Sequence, residues 1–495
     1  MQTINEGGIQ MKKVQKWLAV LMVTTMGVTS LAGCGGGENQ TTDSQQSSSA
    51  SEETEAVTEE TEEATAAEEQ APSGDVQQLN FYAWTNPDNV VPLTDAFNKD
   101  YEGKYNLVYQ KLADAATMTI NTALGSGEPI DVMTQASAMD LRVRADDGVY
   151  MGLKQFFDKE GWTYADVMGT AMEETMNIEG DYYAIPYCNN INMVWFNKKM
   201  FDEAGMEYPQ AGWTWEDFRE TAIAMTHGEG ADKVYGAMID YAPDGDGDNY
   251  WDLIARQKLG AFTYYNDDFT ATQFEAPEFK ESLDFFYNMA MVDKCIVPSE
   301  EYIALQYHKD PTGMAGLYND KYAMWIAPVY GCLYLNESYG EIPEGTDIGV
   351  VDMPTVDGGA TVTTCYTSTA SIPANCSDPD AAWDLLKYIC IDRADLFAGP
   401  KAMHPGYDFK SDEERDAFNH IIFDGKPGLD VDMAMEVMAM DRTLVSKDTT
   451  VRKGQVGINE AIKNTMSLVF AGEMGVDEGL AELKKQGDAA IEADQ

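Results

Sequence analysis

The stretch IPYCNNINMVWFNK, residues 185–198, sets Cys188, Asn189, Asn190 and Asn192 at the mouth of an apolar run that reads as a buried strand. Amide side chains both donate and accept hydrogen bonds while carrying no charge. At a strand mouth they suit one of two tasks, holding a polar solute or capping the strand. Covalent chemistry has less support. The chain lacks a GxSxG elbow, an HExxH pair and a phosphate-binding GxxxxGK[ST] loop, and His227, His308, His404 and His420 show no metal-ligand spacing. Two carboxylates about 5–5.5 Å apart would suffice for a retaining glycosidase. Linear spacing does not reveal such a pair, so a hydrolase stays as the alternative from another class. In PDGDGDNYWD, Asp244, Asp246 and Asp248 alternate like the start of a calcium loop. Asn249 replaces the turn glycine and Ala255 the bidentate glutamate, so a solvated loop is expected and no metal or other cofactor is assigned.

The elements that must position these residues alternate between two periods. LNFYAW (79–84), YNLVYQKL (105–112) and IDVMTQA (130–136) read as strands. Between them, Val90, Leu93, Phe97 and Tyr101 share a helical face with Asp88 as its expected cap, and TMTINTALGSG is a second helix ended by glycine. The pattern then restarts. NMVWFN is a strand, KKMFDEAG a helix stopped at Gly205, and WTWEDFRETAIAMT a helix capped by Thr214 with Asp217 three residues on. KVYGAMI, DIGVVDMP and TSTASIPA read as further strands, and Asp378 with Pro379 opens a helix over AAWDLLKYIC. Strands alternating with helices predict an α/β fold with a mostly parallel sheet covered on both faces. Trp84 closes the first strand and Thr134 and Gln135 the third, and ligands of parallel sheets gather at such carboxyl ends.

Composition sets the limits. A chain of 495 residues exceeds a single core, and a formal charge of −51 argues against nucleic acid, whose phosphates need clustered Lys and Arg. The acidity persists in the body, with 71 acidic against 30 basic residues from Val76 onward. Ahead of it, MKKVQKWLAVLMVTTMGVTSLAGC combines three lysines, a short apolar run and LAGC, an export signal too short to span a membrane. Residues 1–33 are read as that signal, with Met11 the expected natural start, because EGGIQ can be encoded by a purine-rich ribosome-binding sequence. Residues 34–75 hold a single large aliphatic, Val57, and 12 acidic residues with no basic one, a segment expected to stay disordered as a tether. Cys188, Cys295, Cys332, Cys365, Cys376 and Cys390 form no CxxC pair, which leaves disulfides and buried thiols equally open.

In order along the chain, GSGEPIDVM (125–133), YYAIPYCNNINMVWFNKKMFDEAG (182–205), GWTWEDF (212–218), KYAMWIAPVYG (321–331), DIGVVDMPTVDGG (347–359) and SIPANCSDPDAAWDLLKYI (371–389) carry a family resemblance. The chain resembles the family-1 extracellular solute-binding lipoproteins of ABC importers, the group that includes maltose-binding protein. It departs from them at Cys188, Asn189 and Asn190, at Ala327 before Pro328, and at Tyr330, where many members carry tryptophan. LAGC in turn resembles a bacterial lipobox, whose cysteine, here Cys34, becomes the lipid-bearing first residue.

The resemblance implies a two-lobed periplasmic-binding-protein fold with a cleft between lobes joined by crossover strands. It places 76–188 and about 360–400 in lobe 1, and 189–355 and about 401–495 in lobe 2. Tyr187 to Asn192 would be the first crossover. It also implies a monomeric receptor on the outer face of the bacterial cytoplasmic membrane, with a carbohydrate as ligand and integral permease subunits as partners. A polyamine is the second choice of ligand, since acidic and aromatic side chains suit cations. Sugar sites need flat aromatics edged by hydrogen-bonding groups. The candidates are Trp84, Asn86, Thr134, Gln135, Tyr187, Asn189, Asn190, Trp251, Tyr330 and Tyr366, while Trp325 is expected in the core.

Overall fold

A computed structural model of the chain describes residues 76–135, 141–242, 250–359, 362–446 and 451–494. The signal, Cys34 and its tether, and the Asp244–Asp248 loop lie outside the described residues. So does the Tyr366 side chain.

Nine strands run through the described residues: β1 Gln77–Ala83, β2 Tyr105–Lys111, β3 Val132–Gln135, β4 Ile185–Asn197, β5 Tyr235–Met238, β6 Tyr322–Pro328, β7 Ile348–Val351, β8 Val362–Ser371 and β9 Thr443–Ser446. They pair in the order β2-β1-β3-β8-β4-β6-β5, with β7 on β4 and β9 on β8. The expected parallel pairing exists at the two margins, where β1 joins β2 and β3, and β5 joins β6. The centre is antiparallel instead: β8 against β3 and β4, and β4 against β6 and β7. The sheet is therefore mixed. Helical crossovers impose parallel pairing only within each half, and the strands that join the halves run in opposite directions.

β4 shows how this works. Residues Ile185 to Ile191 pair with β8, whereas Asn192 to Phe196 pair with β6. One hydrophobic core holds Leu79, Phe81, Phe97, Tyr187, Cys188, Ala370 and Trp383; another holds Ile191, Trp195, Phe218, Trp251, Trp325 and Cys365. The chain changes core between Cys188 and Ile191 on β4, and between Cys365 and Ala370 on β8. Residues that lie between two cores need not be apolar, which is why amides and threonines concentrate there.

Local signals are obeyed at most helix ends. Thr214 and Asp217 form a reciprocal capping box for the helix Trp215–Met225, which buries Phe218, Ala222 and Met225. Asp378 caps Pro379–Lys387 by accepting from the amide of Ala381. Gly205 ends Lys198–Ala204 in the left-handed region at φ 64°, which costs glycine little. One expected cap is corrected. Asn86, not Asp88, supplies the oxygen, capping the single turn Pro87–Asn89 that precedes the helix Val91–Asp100. The described cysteines, Cys188, Cys295, Cys332, Cys365, Cys376 and Cys390, are all free thiols.

Candidate functional site

The crossover amides are organised by partners far away in sequence. Asn192, almost fully buried, donates to Thr364 Oγ1 at 2.6 Å and accepts from the Tyr250 hydroxyl at 3.0 Å. Thr363 Oγ1 donates to the Asn192 carbonyl at 2.8 Å. Asn190 is wholly buried. Its Oδ1 accepts the His404 amide at 2.9 Å and its Nδ2 meets Cys188 Sγ at 3.5 Å. Asn189 is half-buried, accepts from Thr367 Oγ1 at 3.0 Å, and donates its backbone amide to the His404 carbonyl at 3.0 Å. Thus Asn190 and Asn192 serve the joint itself, and Asn189 is the crossover amide with an exposed portion.

Tyr187 is buried, with its ring edge-on to Phe397 at 5.1 Å and the Lys401 ammonium 4.4 Å from its centroid. Lys401 lies 3.4 Å from the Phe397 centroid. Burial lowers this amine to about 7, which the neighbouring thiols Cys188 and Cys390 only partly oppose. Burial likewise holds the imidazole of His404 down, at about 4, with Arg442 adding to the effect. The crossover therefore meets its neighbours as a largely uncharged joint near neutral pH.

The remaining predicted residues divide by exposure. Trp84 follows β1 half-buried, packed on the small cluster of Leu112, Ile120, Ile130 and Met133. Asn86 is exposed beside it. Tyr330, half-buried against the second core, stands in the turn Val329–Tyr334 directly after β6. These three keep surface available to a ligand. Thr134 and Gln135 are wholly buried at the end of β3. Gln135 is engaged on both sides: it accepts from Arg144 Nη1 at 2.7 Å and donates to Ser371 Oγ at 2.9 Å. Thr134 donates to the Tyr82 carbonyl at 3.4 Å. Trp251 is wholly buried with its ring 6.0 Å from that of Phe279, and its indole N–H has no hydrogen-bond partner. Trp325 is also buried, directly opposite Trp195 on β4. For Tyr366 the register is defined, opposite Asn190.

Sequence reasoning overlooked Tyr250, Thr363, Thr364, Thr367 and His404, the partners that complete the joint. The run TVTTCYTSTAS, residues 361–371, was the available signal, since hydroxyls recur along a strand that also reaches a core. Another missed group is the buried pair Asp252 and Arg256, where Arg256 Nε donates to Asp252 Oδ1 at 2.9 Å and Tyr264 donates to Oδ2 at 2.7 Å. Among the described residues no cluster of His, Cys, Asp or Glu could hold a metal ion, and no helix is long and apolar enough to cross a membrane.

Comparison with known proteins agrees with this architecture. A mannitol-binding protein of Pseudomonas aeruginosa is 21% identical over 266 residues, which is 51% of this chain and 56% of that protein. This chain thus spans little more than half the length of that relative. Among solved structures, a sugar transporter of Rhizobium etli in an open conformation superposes with a TM-score of 0.64 at 20% identity, covering 84% of this chain and 99% of that one. The cyclic alpha-maltosyl-1,6-maltose binding protein of Arthrobacter globiformis gives 0.64 at 17% identity, with 84% and 100% covered. These likenesses show a two-lobed fold. The family described as bacterial extracellular solute-binding protein matches residues 84–389, more than half of the chain, and the chain belongs to that family.

Proposed function

We propose that the protein is a receptor of an ABC importer that captures a sugar or oligosaccharide between its two lobes and passes it intact to the permease. The observation that carries this reading is the joint itself. In a chain of the solute-binding family, two separate cores are linked by β4 and β8 through amide and hydroxyl groups. A linkage of that kind absorbs dihedral change while the cores move as units. The proposed lobes are 76–188 with about 360–400, and 189–355 with about 401–495. The proposed ligand contacts are Trp84 and Asn86 from the first lobe, Asn189 at the joint, and Tyr330 from the second. Trp84 and Tyr330 would offer flat faces to the C–H surface of a sugar ring, with the amides bonding its hydroxyls. Binding proceeds without bond cleavage. Cys34 carries the anchoring lipid at the outer face of the membrane, and the receptor acts as a monomer.

A thermal-shift screen against maltose-series and mannose-series oligosaccharides, sugar alcohols and polyamines tests the proposal, because a ligand that binds only the folded state raises the melting midpoint. The expected result is a shift with one carbohydrate series, followed by recovery of unshortened sugar. A shift with polyamines alone would replace the ligand class, and shortened sugar would make the protein a hydrolase.

A further inference from the structure

β5 is the terminal strand of the sheet, two places from β4, and its outer side borders a cavity of about 600 Å³. Tyr235, Tyr241, Ala290 and Phe470 give the cavity an apolar wall, with the Tyr241 and Phe470 rings 4.7 Å apart. The polar ends of the two tyrosines are already occupied. Tyr235 donates to Glu301 Oε2 at 2.7 Å, and the Tyr241 oxygen accepts the Ser299 amide at 2.8 Å. Near the opening, Met291 is 39% exposed, and Val292 beside it is 66% exposed. Apolar surface left open beside a cavity marks a place where something apolar binds.

The charges in the lining run against the composition of the body. Lys233 and Lys294 both line the cavity, and neither is ion-paired to a carboxylate among the described residues. Glu300 shares the lining, which leaves it a net charge of +1 on a protein that is otherwise strongly acidic. The Lys233 ammonium stands 5.5 Å from the Tyr235 centroid, at the border between charged and apolar wall. Lys294 adopts φ 53°, a left-handed conformation that a lysine takes at some cost.

We propose that this cavity is a second binding site, distinct from the joint between the cores, for a small amphiphilic anion. Such a ligand has an apolar body of one or two rings and carries a carboxylate, sulfonate or phosphate. Its rings lie on Tyr241, Phe470 and Ala290, and its anionic group lies between the two ammonium groups. The volume suits it, since small-molecule sites run from roughly 300 to 1,000 Å³. The ammonium groups supply charge-assisted bonds that a neutral ring system of the same size does not use.

Two fluorescent probes of similar shape separate the parts of this proposal in titrations of the full folded chain. One is 8-anilinonaphthalene-1-sulfonate; the other is its uncharged counterpart, N-phenyl-1-naphthylamine. The sulfonate is expected to bind with one equivalent. In Lys233→Gln/Lys294→Gln it should bind at least about fivefold more weakly, while the neutral probe binds both proteins alike. Ala290→Phe, which fills the apolar wall, should weaken both probes. Circular dichroism and melting midpoints confirm that each variant is folded, and Lys294→Gln alone serves if the double variant is not. Sulfonate binding that ignores the lysines, that exceeds one equivalent, or that survives Ala290→Phe would overturn the proposal.

Discussion

Trp84 and Trp251 have the same side chain in opposite situations. Trp84 rests on a small cluster and keeps part of its ring exposed, whereas Trp251 is wholly enclosed. Removing a ring that stacks on a ligand loses apolar contact worth about 25 cal/mol per Å². Trp84→Ala and Tyr330→Ala should therefore each weaken sugar binding by about 1–3 kcal/mol, or roughly ten- to a hundredfold, with little change in melting. Trp251→Ala should instead cost about 3–5 kcal/mol of stability. Calorimetric affinity and melting midpoint, measured together, decide it, and a Trp84→Ala protein that binds normally but melts far lower would make Trp84 a core residue. Lys401 allows a test by pH. Its amine loses its proton near pH 7 in the fold but near pH 10.4, about the free-lysine value, in the unfolded chain. Between these values the unfolded state holds more protons, so this residue makes stability rise with pH from about 7 to about 10. Lys401→Met should gain stability at pH 6.5 and lose that rise. Urea midpoints for both proteins at pH 6.5 and 9.5 read the difference, and equal slopes would remove Lys401 from the account.

At the scale of elements, β4 is the informative strand because it serves two cores within 13 residues. Its apolar half was legible at once: Met193, Val194, Trp195 and Phe196 are a run that only burial explains. Its polar half was read as ligand-facing or capping, and the structure divides it more finely. Asn190→Ala strands the His404 amide, and Asn192→Ala strands both Thr364 and Tyr250, in buried surroundings. A buried group left without its partner costs about 1–3 kcal/mol, so both variants should fall in melting midpoint, Asn192→Ala the further. Asn189→Ala gives up a single printed side-chain bond at a half-buried site and should mainly lose sugar affinity. If Asn189→Ala melts as low as Asn192→Ala and binds unchanged, the exposed amide is a strut like its neighbours. The helix caps need no such dissection, because Thr214 and Asp378 act within three residues of themselves.

For the whole molecule, the proposed anchor and the receptor body are separable. If the lipid is on Cys34, Cys34→Ala should yield a folded protein with unchanged ligand affinity that is released or accumulates as unprocessed precursor. Fractionation with calorimetry on the released protein checks this. A fully processed Cys34→Ala protein that stays on the membrane would sink the anchor. Shortening residues 35–75 should leave affinity alone and reduce uptake only once the body no longer reaches its permease, since a tether supplies local concentration. The acidity of the body bears on partners more than on fold, because summed charge governs association and solubility.

By itself the amino-acid sequence determined what depends on near neighbours. The helix periods, the capping box at Thr214, the glycine stop at Gly205 and the α/β alternation each arise from contacts within a few residues. The ordered motifs carried the family as well, since they span most of the body. Tertiary structure alone decided which polar residues remain available. Gln135 at the end of β3 has the same local setting as any ligand-facing residue, yet Ser371, 236 positions away, claims its amide. Asn192 is claimed by Thr364 across 172 positions. The antiparallel centre of the sheet has the same origin, because β4 pairs with β8 only when two distant stretches of chain return to one joint. Hydrogen bonds saturate, so a group satisfied by a remote partner is lost to the ligand, and local sequence carries no record of that partner.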